Sequence, residues 1–369
     1  PDLFNEVETV IHLSGMSNDP SGDLDPNLTI QTNFLATMSL ARRAKVEGIK
    51  KFIFISSCSV YGASGDKFLD EQSDVGPVTL YALSKLQCEN ALFPLADSKF
   101  SITSLRFATL FGYSPRMRFD IAVNVMAKRA LQGKSILLNG DGTQYRPFLH
   151  VKDASRAIMV VMEEDPNITN KQIFNVGNSD LNFMIKDLVP LISRYFNNSP
   201  VERVEQNKDN RSYRVSFRKF EKICGFKCLY GIEHGLKEIE DAHKSGQLIN
   251  MDDINYYNLE VMKKIIKEKP LSEIKEGGYL LLPEKINLFL EEQHINFNPI
   301  VNHSAMKKID LPKKIDSTLA RILGYYLGDG NYEIYRTSFS EQRKEVAEHY
   351  SRLISQYFKI PARIRFREN

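Results

Sequence analysis

The feature that most narrows the folds open to this chain is an alternation. Between Thr9 and Val176, short apolar runs rich in Val, Ile and Phe take turns with longer stretches of helical spacing. Residues 9–14, 51–57 and 101–107 read as buried strands, because each is a short run rich in Val, Ile, Leu or Phe between longer stretches of helical spacing. Residues 24–47 and 80–96 have helical spacing. Strand, helix, strand, helix, strand predicts a parallel sheet with crossover helices, the doubly wound α/β class, since parallel neighbours need a long connection. After Arg116 the pattern loosens. Helical residues 119–132 and short strands at 135–138 and 172–176 predict a smaller lobe against the sheet.

A second change of character follows Tyr256. Residues 259–269 are lysine-rich and helical in spacing, Pro270 ends them, and Gly277-Gly278 precedes a strand-like run stopped by Pro283. The expected domains are therefore 1–262, with the lobe mostly from about 113 on, and 263–369. The net charge of +3 hides an asymmetry, because residues 263–369 carry 19 Lys and Arg against 14 Asp and Glu. That segment favours a polyanionic partner such as DNA; the plain alternative is a solvated basic surface. No stretch approaches the ~18 consecutive apolar residues of a membrane span, so no membrane partner is expected. Residues 1–8 lack the basic-then-apolar order of a secretory signal, so the expected setting is cytoplasmic. Of the four cysteines, only Cys224 and Cys228 lie close, without a second pair at zinc-ligand spacing, and free thiols are expected.

The strongest chemical signal is Tyr81-Ala-Leu-Ser-Lys85 at the start of a predicted helix, with Ser57 ending the preceding strand. Four residues make about one helical turn, so the phenol and the ammonium share a face. A nearby cation favours phenolate, which a tyrosine needs to act as a base near neutral pH. Taken by itself, such a pair is common on helix surfaces.

In context it is not alone. Phe54-Ile-Ser-Ser-Cys-Ser-Val-Tyr-Gly62, Tyr81 and Lys85, Asn33 in the preceding helix, Val10-Ile-His-Leu13, Leu105-Arg-Phe107, Arg146-Pro-Phe-Leu-His-Val-Lys-Asp153, Phe174-Asn-Val-Gly177 and Asp209-Asn-Arg-Ser-Tyr213 occur in one order. Over residues 1–262 this order resembles the extended short-chain dehydrogenase/reductases of the NAD-dependent epimerase/dehydratase type, similar to UDP-glucose 4-epimerase. The resemblance implies a Rossmann-like sheet with a small substrate lobe, and a nucleotide-sugar epimerase working by transient hydride transfer to NAD, with NADP the alternative. It implies Ser57, Tyr81, Lys85 and Asn33 as catalytic, with Lys85 lowering the tyrosine pKa. Leu13, Ser14, Gly15, Ser56, Tyr81 and Lys85 would meet the cofactor, and Ser57, Thr109, Asn124, Arg146 and Arg211 the nucleotide sugar. A homodimer is allowed. A keto-sugar reductase of the same family would share the site. Dehydratases of the family follow the hydroxyl with Asp-Glu, and Cys58-Ser59 stands here, which argues against loss of water. The family's opening strand with a Gly-x-x-Gly-x-x-Gly turn has no counterpart before Thr9. The resemblance thus implies an incomplete sheet missing roughly sixty residues, with weak cofactor binding and an inactive chain as the expectation.

The tail has a different affinity. Ala320-Arg-Ile-Leu-Gly-Tyr-Tyr-Leu-Gly-Asp-Gly330 resembles one LAGLIDADG motif of homing endonucleases, which implies an α+β fragment. In that reading Asp329 is a metal ligand for a divalent cation such as Mg. Residues 333–340 form a strand, 343–358 a helix, and Arg363, Arg365 and Arg367 share a phosphate-facing side of a second strand. Only one such motif is present where a nuclease needs two, so the chain reads as a gene fragment.

Overall fold

The computed structural model describes residues 4–205 and 211–268, and beyond them 330–333, 336–339 and 352. The chain divides into two compact units, Pro1–Leu281 and Leu282–Asn369.

Along the first unit come β1 (Thr9–His12), the short helices α1 (Asp19–Gly22) and α2 (Pro26–Thr29), α3 (Ala36–Val46), β2 (Lys51–Ser57), β3 (Ala63–Leu69) and α4 (Leu80–Leu92). Then follow β4 (Ser101–Phe107), β5 (Thr109–Phe111), α5 (Ala122–Leu131), β6 (Ile136–Asn139), β7 (Tyr145–His150), α6 (Val151–Glu163), α7 (Pro166–Thr169) and β8 (Gln172–Val176). The unit closes with β9 (Asn182–Met184), α8 (Ile185–Tyr195), β10 (Val201–Val204), β11 (Ser212–Val215), α9 (Arg218–Cys224), α10 (Ile232–Lys244) and α11 (Asn258–Glu268). Helix α11 runs through residues 262 and 263, where the sequence suggested a domain border.

The central sheet has the order β1-β2-β4-β8 with every neighbour parallel, the expected Rossmann-like α/β arrangement, but β8, which the sequence placed in the smaller lobe, is its edge strand, paired along β4. Strand β4 is buried along its whole length, as a parallel strand covered on both faces must be. On one face Phe52, Phe54 and Ile102 pack with Met38 and Ala41 of α3 and Cys88 and Leu92 of α4. On the other, Ile53, Leu105 and Phe174 pack with Ala154 and Ala157 of α6 and Phe220 of α9. A separate core forms the lobe, where α5, α8 and α10 enclose Phe119, Val123, Leu188 and Leu236.

One expected helix differs. Residues 26–46 are helical without a break, as the spacing predicted, but α2 passes into a π-helical turn at Ile30–Leu35 before α3 begins. The turn inserts one residue and swings Asn33 inward, where it is buried.

In the second unit, β12 (Gly330–Glu333) pairs antiparallel with β13 (Arg336–Phe339), a hairpin where one strand over 333–340 was expected. The LAGLIDADG-like run with Asp329, and Arg363, Arg365 and Arg367, lie outside the described residues.

Candidate active site

Two backbone devices bring the ends of β2 and α4 together. Gly62, at φ 65°, crosses so close to Gly76 that an added Cβ would stand 1.8 Å from the Gly76 carbonyl oxygen. Only glycine allows that approach, which explains the Tyr-Gly pair after Ser57. The Gly76 N–H donates to the Val60 carbonyl at 3.0 Å, stapling the turn after β2 to the segment that enters α4. Thr79 then caps α4 by accepting from the Ala82 N–H at 3.2 Å, and its hydroxyl is itself bound to Asp19. Tyr81 and Lys85 lie in the first turns of the helix so started.

Ser57, at the end of β2, and Tyr81, in the first turn of α4, are neighbours, and the Ser57 hydroxyl acts on the Tyr81 phenol. Burial pushes the phenol's pKa up, while the Ser57 bond and the charge of Arg118 pull it down. Lys85 is buried with its Nζ donating to the Ile55 carbonyl at 2.7 Å, and stands 5.9 Å from the centre of the Tyr81 ring. Burial lowers the Lys85 pKa to about 8.

Asn33 acts as a clamp. Its Oδ1 accepts from the Met16 N–H at 2.7 Å, and its Nδ2 donates to the Met16 carbonyl and to Ser84 Oγ, both at 3.1 Å. This ties the loop after β1 to α4. Gly15 in that loop has φ 147°, and a Cβ there would sit 2.9 Å from Asn33 Oδ1.

The residues expected to meet a cofactor gather at the carboxyl ends of β1 and β2, where open α/β sheets take their ligands. Leu13, Ser14 and Gly15 are exposed, and the buried Ser56 hydroxyl has no hydrogen-bond partner among the described residues. A hydroxyl and an ammonium beside an open backbone edge fit the ribose and nicotinamide end of a dinucleotide. The substrate candidates are more engaged. Thr109 opens β5, half-buried. Asn124 is buried and spends its amide on the backbone of Gly112 and Arg118, so it shapes the 112–118 loop. Arg146 donates to the carbonyls of Tyr145 at 2.7 Å and Arg211 at 2.5 Å, and lies over the Tyr213 ring. Arg211 is ion-paired with Asp19, the same carboxylate that meets the α4 cap.

Sequence reasoning passed over Arg118, Asp120 and Asn258. Nothing local marks them, since Arg118 and Asn258 both meet Ser17, far away in the chain. Cys58, which replaces the dehydratase acid, is buried, with its thiol donating to the Arg106 carbonyl at 3.2 Å and burial raising its pKa. No group of three or more metal-ligating side chains occurs among the described residues.

Residues 2–177 match the NAD dependent epimerase/dehydratase family. The chain is 27% identical over 253 residues to the UDP-N-acetyl-alpha-D-glucosaminuronate decarboxylase of Bacillus cytotoxicus, covering 64% of this chain and 77% of that enzyme. It is 30% identical over 190 residues to the UDP-glucose 4-epimerase of Bacillus subtilis, covering 47% of this chain and 56% of that enzyme. Among solved structures, MoeE5 in complex with UDP-glucuronic acid and NAD superposes with a TM-score of 0.60 at 26% identity, over 66% of this chain and 82% of that one.

Proposed function

We propose that this protein is a nucleotide-sugar 4-epimerase in which Ser57, Tyr81 and Lys85 act as one unit. The observation that carries the reading is the convergence of Ser57, at the carboxyl end of β2, with Tyr81 in the first turn of α4 and Lys85, one turn along, whose ammonium is buried against the Ile55 carbonyl of β2. The kinship with UDP-sugar epimerases and decarboxylases supports the substrate class.

In this mechanism the Tyr81 phenolate takes the proton of a sugar hydroxyl and later returns it, so the residue serves as base and then acid. Ser57 donates to the reacting oxygen and keeps it within reach of the phenol. Lys85 and Ser56 hold the ribose next to the reacting carbon, and Leu13–Gly15 line the approach. When bound there, NAD supplies reversible hydride acceptance. Once the hydroxyl carbon is a carbonyl it is planar, and a turn of the sugar presents its other face. The Cys58 thiol faces a backbone carbonyl inside the core, so the position after Ser57 offers no acid to expel water. That favours epimerisation over dehydration.

The test is turnover of UDP-hexoses and UDP-uronic acids by the full chain with NAD⁺, products being separated by chromatography. The expected product is the 4-epimer. Tyr81→Phe should lower its rate by about 10³-fold, within the span of general acid–base catalysis, while nucleotide-sugar affinity stays within about twofold. Release of carbon dioxide or water without an epimer, or unchanged turnover in Tyr81→Phe, would overturn the proposal.

A further inference from the structure

The Asp19 carboxylate opens α1 and is engaged at both oxygens. Its Oδ1 accepts from the Thr79 hydroxyl, which itself accepts from the Ala82 N–H at 3.2 Å and so caps α4. Its Oδ2 is ion-paired with Nη1 of Arg211. Two contacts thus lead from the Arg211 guanidinium to Thr79, and Tyr81 follows Thr79 in the first turn of α4. The pair is largely shielded from water, with 26% of the Arg211 side chain and 14% of that of Asp19 exposed.

The two partners are held differently. Asp19 cannot withdraw far, because the short helix it opens is pinned at both ends. Asn18 before it donates to Asp120 Oδ2 at 2.9 Å and accepts from the Ser21 N–H at 3.0 Å. Gly22 at the other end lies against Tyr81, where an added Cβ would stand 3.4 Å from the Tyr81 Cβ. Arg211 is fixed at its root, since its carbonyl accepts from Arg146 Nη1 at 2.5 Å. Beyond that root it has the rotamer freedom of a long arginine side chain, so the guanidinium is the partner that can move while the carboxylate stays on Thr79. A nucleotide sugar whose hexose lies at Tyr81 brings its diphosphate alongside the same corner, and a guanidinium fork fits phosphate oxygens as well as a carboxylate.

We propose that Asp19 is an internal competitor of the substrate: its carboxylate holds the Arg211 guanidinium in the place of a diphosphate oxygen, and a nucleotide sugar binds by drawing Arg211 off Asp19. This rests on the reading of the chain as a nucleotide-sugar enzyme with its hexose at Tyr81. The diphosphate wins because it carries more charge than one carboxylate and offers several oxygens to the fork. The competition lowers affinity without touching the reacting groups.

The probe is UDP, which offers the diphosphate without the sugar, titrated calorimetrically into the full chain. Asp19→Asn deletes the charge and keeps an oxygen for the Thr79 hydroxyl, so α4 stays capped. It should bind UDP about tenfold more tightly than the parent, the low end for a close charge pair. Adding Arg211→Met to Asp19→Asn should remove the gain and leave affinity no higher than in the parent, because the released guanidinium is what the diphosphate takes. Unchanged or weaker UDP binding in Asp19→Asn would make Asp19 a structural tie, and a gain that survives Arg211→Met would trace it to plain repulsion; either result overturns the proposal. Thermal unfolding reports whether each variant folds. Should Asp19→Asn not fold, Asp19→Ser, which also removes the charge, is held to the same result. Turnover of UDP-sugars judges the catalytic reading apart from this. An Arg211-dependent gain without turnover sustains the competition and sinks the epimerase, turnover without the gain sinks the competition alone, and no UDP binding by parent or variants sinks both.

Discussion

Lys85 is kept charged-side inward against its own preference. The Ile55 carbonyl at 2.7 Å and the face of Phe54 at 4.9 Å replace only part of its hydration, and burial lowers its pKa from 10.5 to about 8. Between those two values the unfolded chain binds the extra proton, so stability rises with pH across that window, and below about pH 8 the full penalty is in force. The shift corresponds to about 3 kcal/mol, and loss of the Ile55 bond offsets about 1 of it. Lys85→Met is therefore expected to be about 2 kcal/mol more stable than the parent at pH 7 in denaturant melts, with the gain shrinking at alkaline pH. A less stable variant at pH 7 would mean that the ammonium supports the fold. His12 repeats the theme: burial first, and then the Lys85 charge, lower its pKa from 6.5 to about 4, and its Nε2 lies 2.7 Å from Thr37 Oγ1. Its contribution is whole above pH 6.5 and is lost as pH falls through 4. Stability measured across that window should fall less steeply in His12→Gln, and an unchanged slope would remove His12 from the acid response. The spacing of Tyr81 and Lys85 was legible because four residues make a turn. Which way the ammonium donates was not, since the Ile55 carbonyl that receives it belongs to another element.

At the level of elements, β8 was read into the lobe although it joins the central sheet, because nothing local tells a strand which neighbour it pairs with, while the bounds of the central strands were legible almost to the residue from their length and apolar content. Strand β3 was not: residues 63–69 include Gly65, Asp66 and Lys67 without alternation, and their partner β11 comes far later in the chain. The π-helical turn was equally hidden, because its cause is tertiary. Asn33 meets Met16 and Ser84 with three hydrogen bonds, and the extra residue in the turn lets it face them. Asn33→Ala leaves the Met16 N–H and carbonyl buried without that partner, each at about 1–3 kcal/mol. A loss of about 2–4 kcal/mol is expected in chemical denaturation, together with weaker nucleotide binding, because the loop carrying Leu13 to Gly15 loses its anchor. A loss below about 1 kcal/mol would show that the loop holds itself.

Across the whole molecule, one charged pair joins the helix that carries Tyr81 to the sheet that carries Ser57. Arg106 of β4 forks onto Glu89 of α4, Nε to Oε1 at 3.0 Å and Nη2 to Oε2 at 2.7 Å, with both side chains buried. Its Nη1 donates to the Tyr61 hydroxyl at 3.0 Å, and that hydroxyl lies 2.9 Å from Asn175 Oδ1 on β8. Burial alone would lower the Arg106 pKa, and Glu89 more than reverses it. The lobe was less legible than this layer, since its core assembles Phe119, Leu188 and Leu236 from segments far apart in sequence. Desolvation of such a pair consumes most of its attraction, so its value lies in fixing where α4 sits along the sheet. Arg106→Met alone strands the Glu89 carboxylate and should cost about 3–5 kcal/mol. Pairing it with Glu89→Leu should restore most of that loss in melts, because two apolar side chains leave no stranded charge. The proposed epimerase rate should stay low in the double variant, since the register that brings Tyr81 to the Ser57 hydroxyl is no longer enforced. Stability and rate recovering together would show that apolar packing alone sets the register, and would take the pair out of the site's architecture.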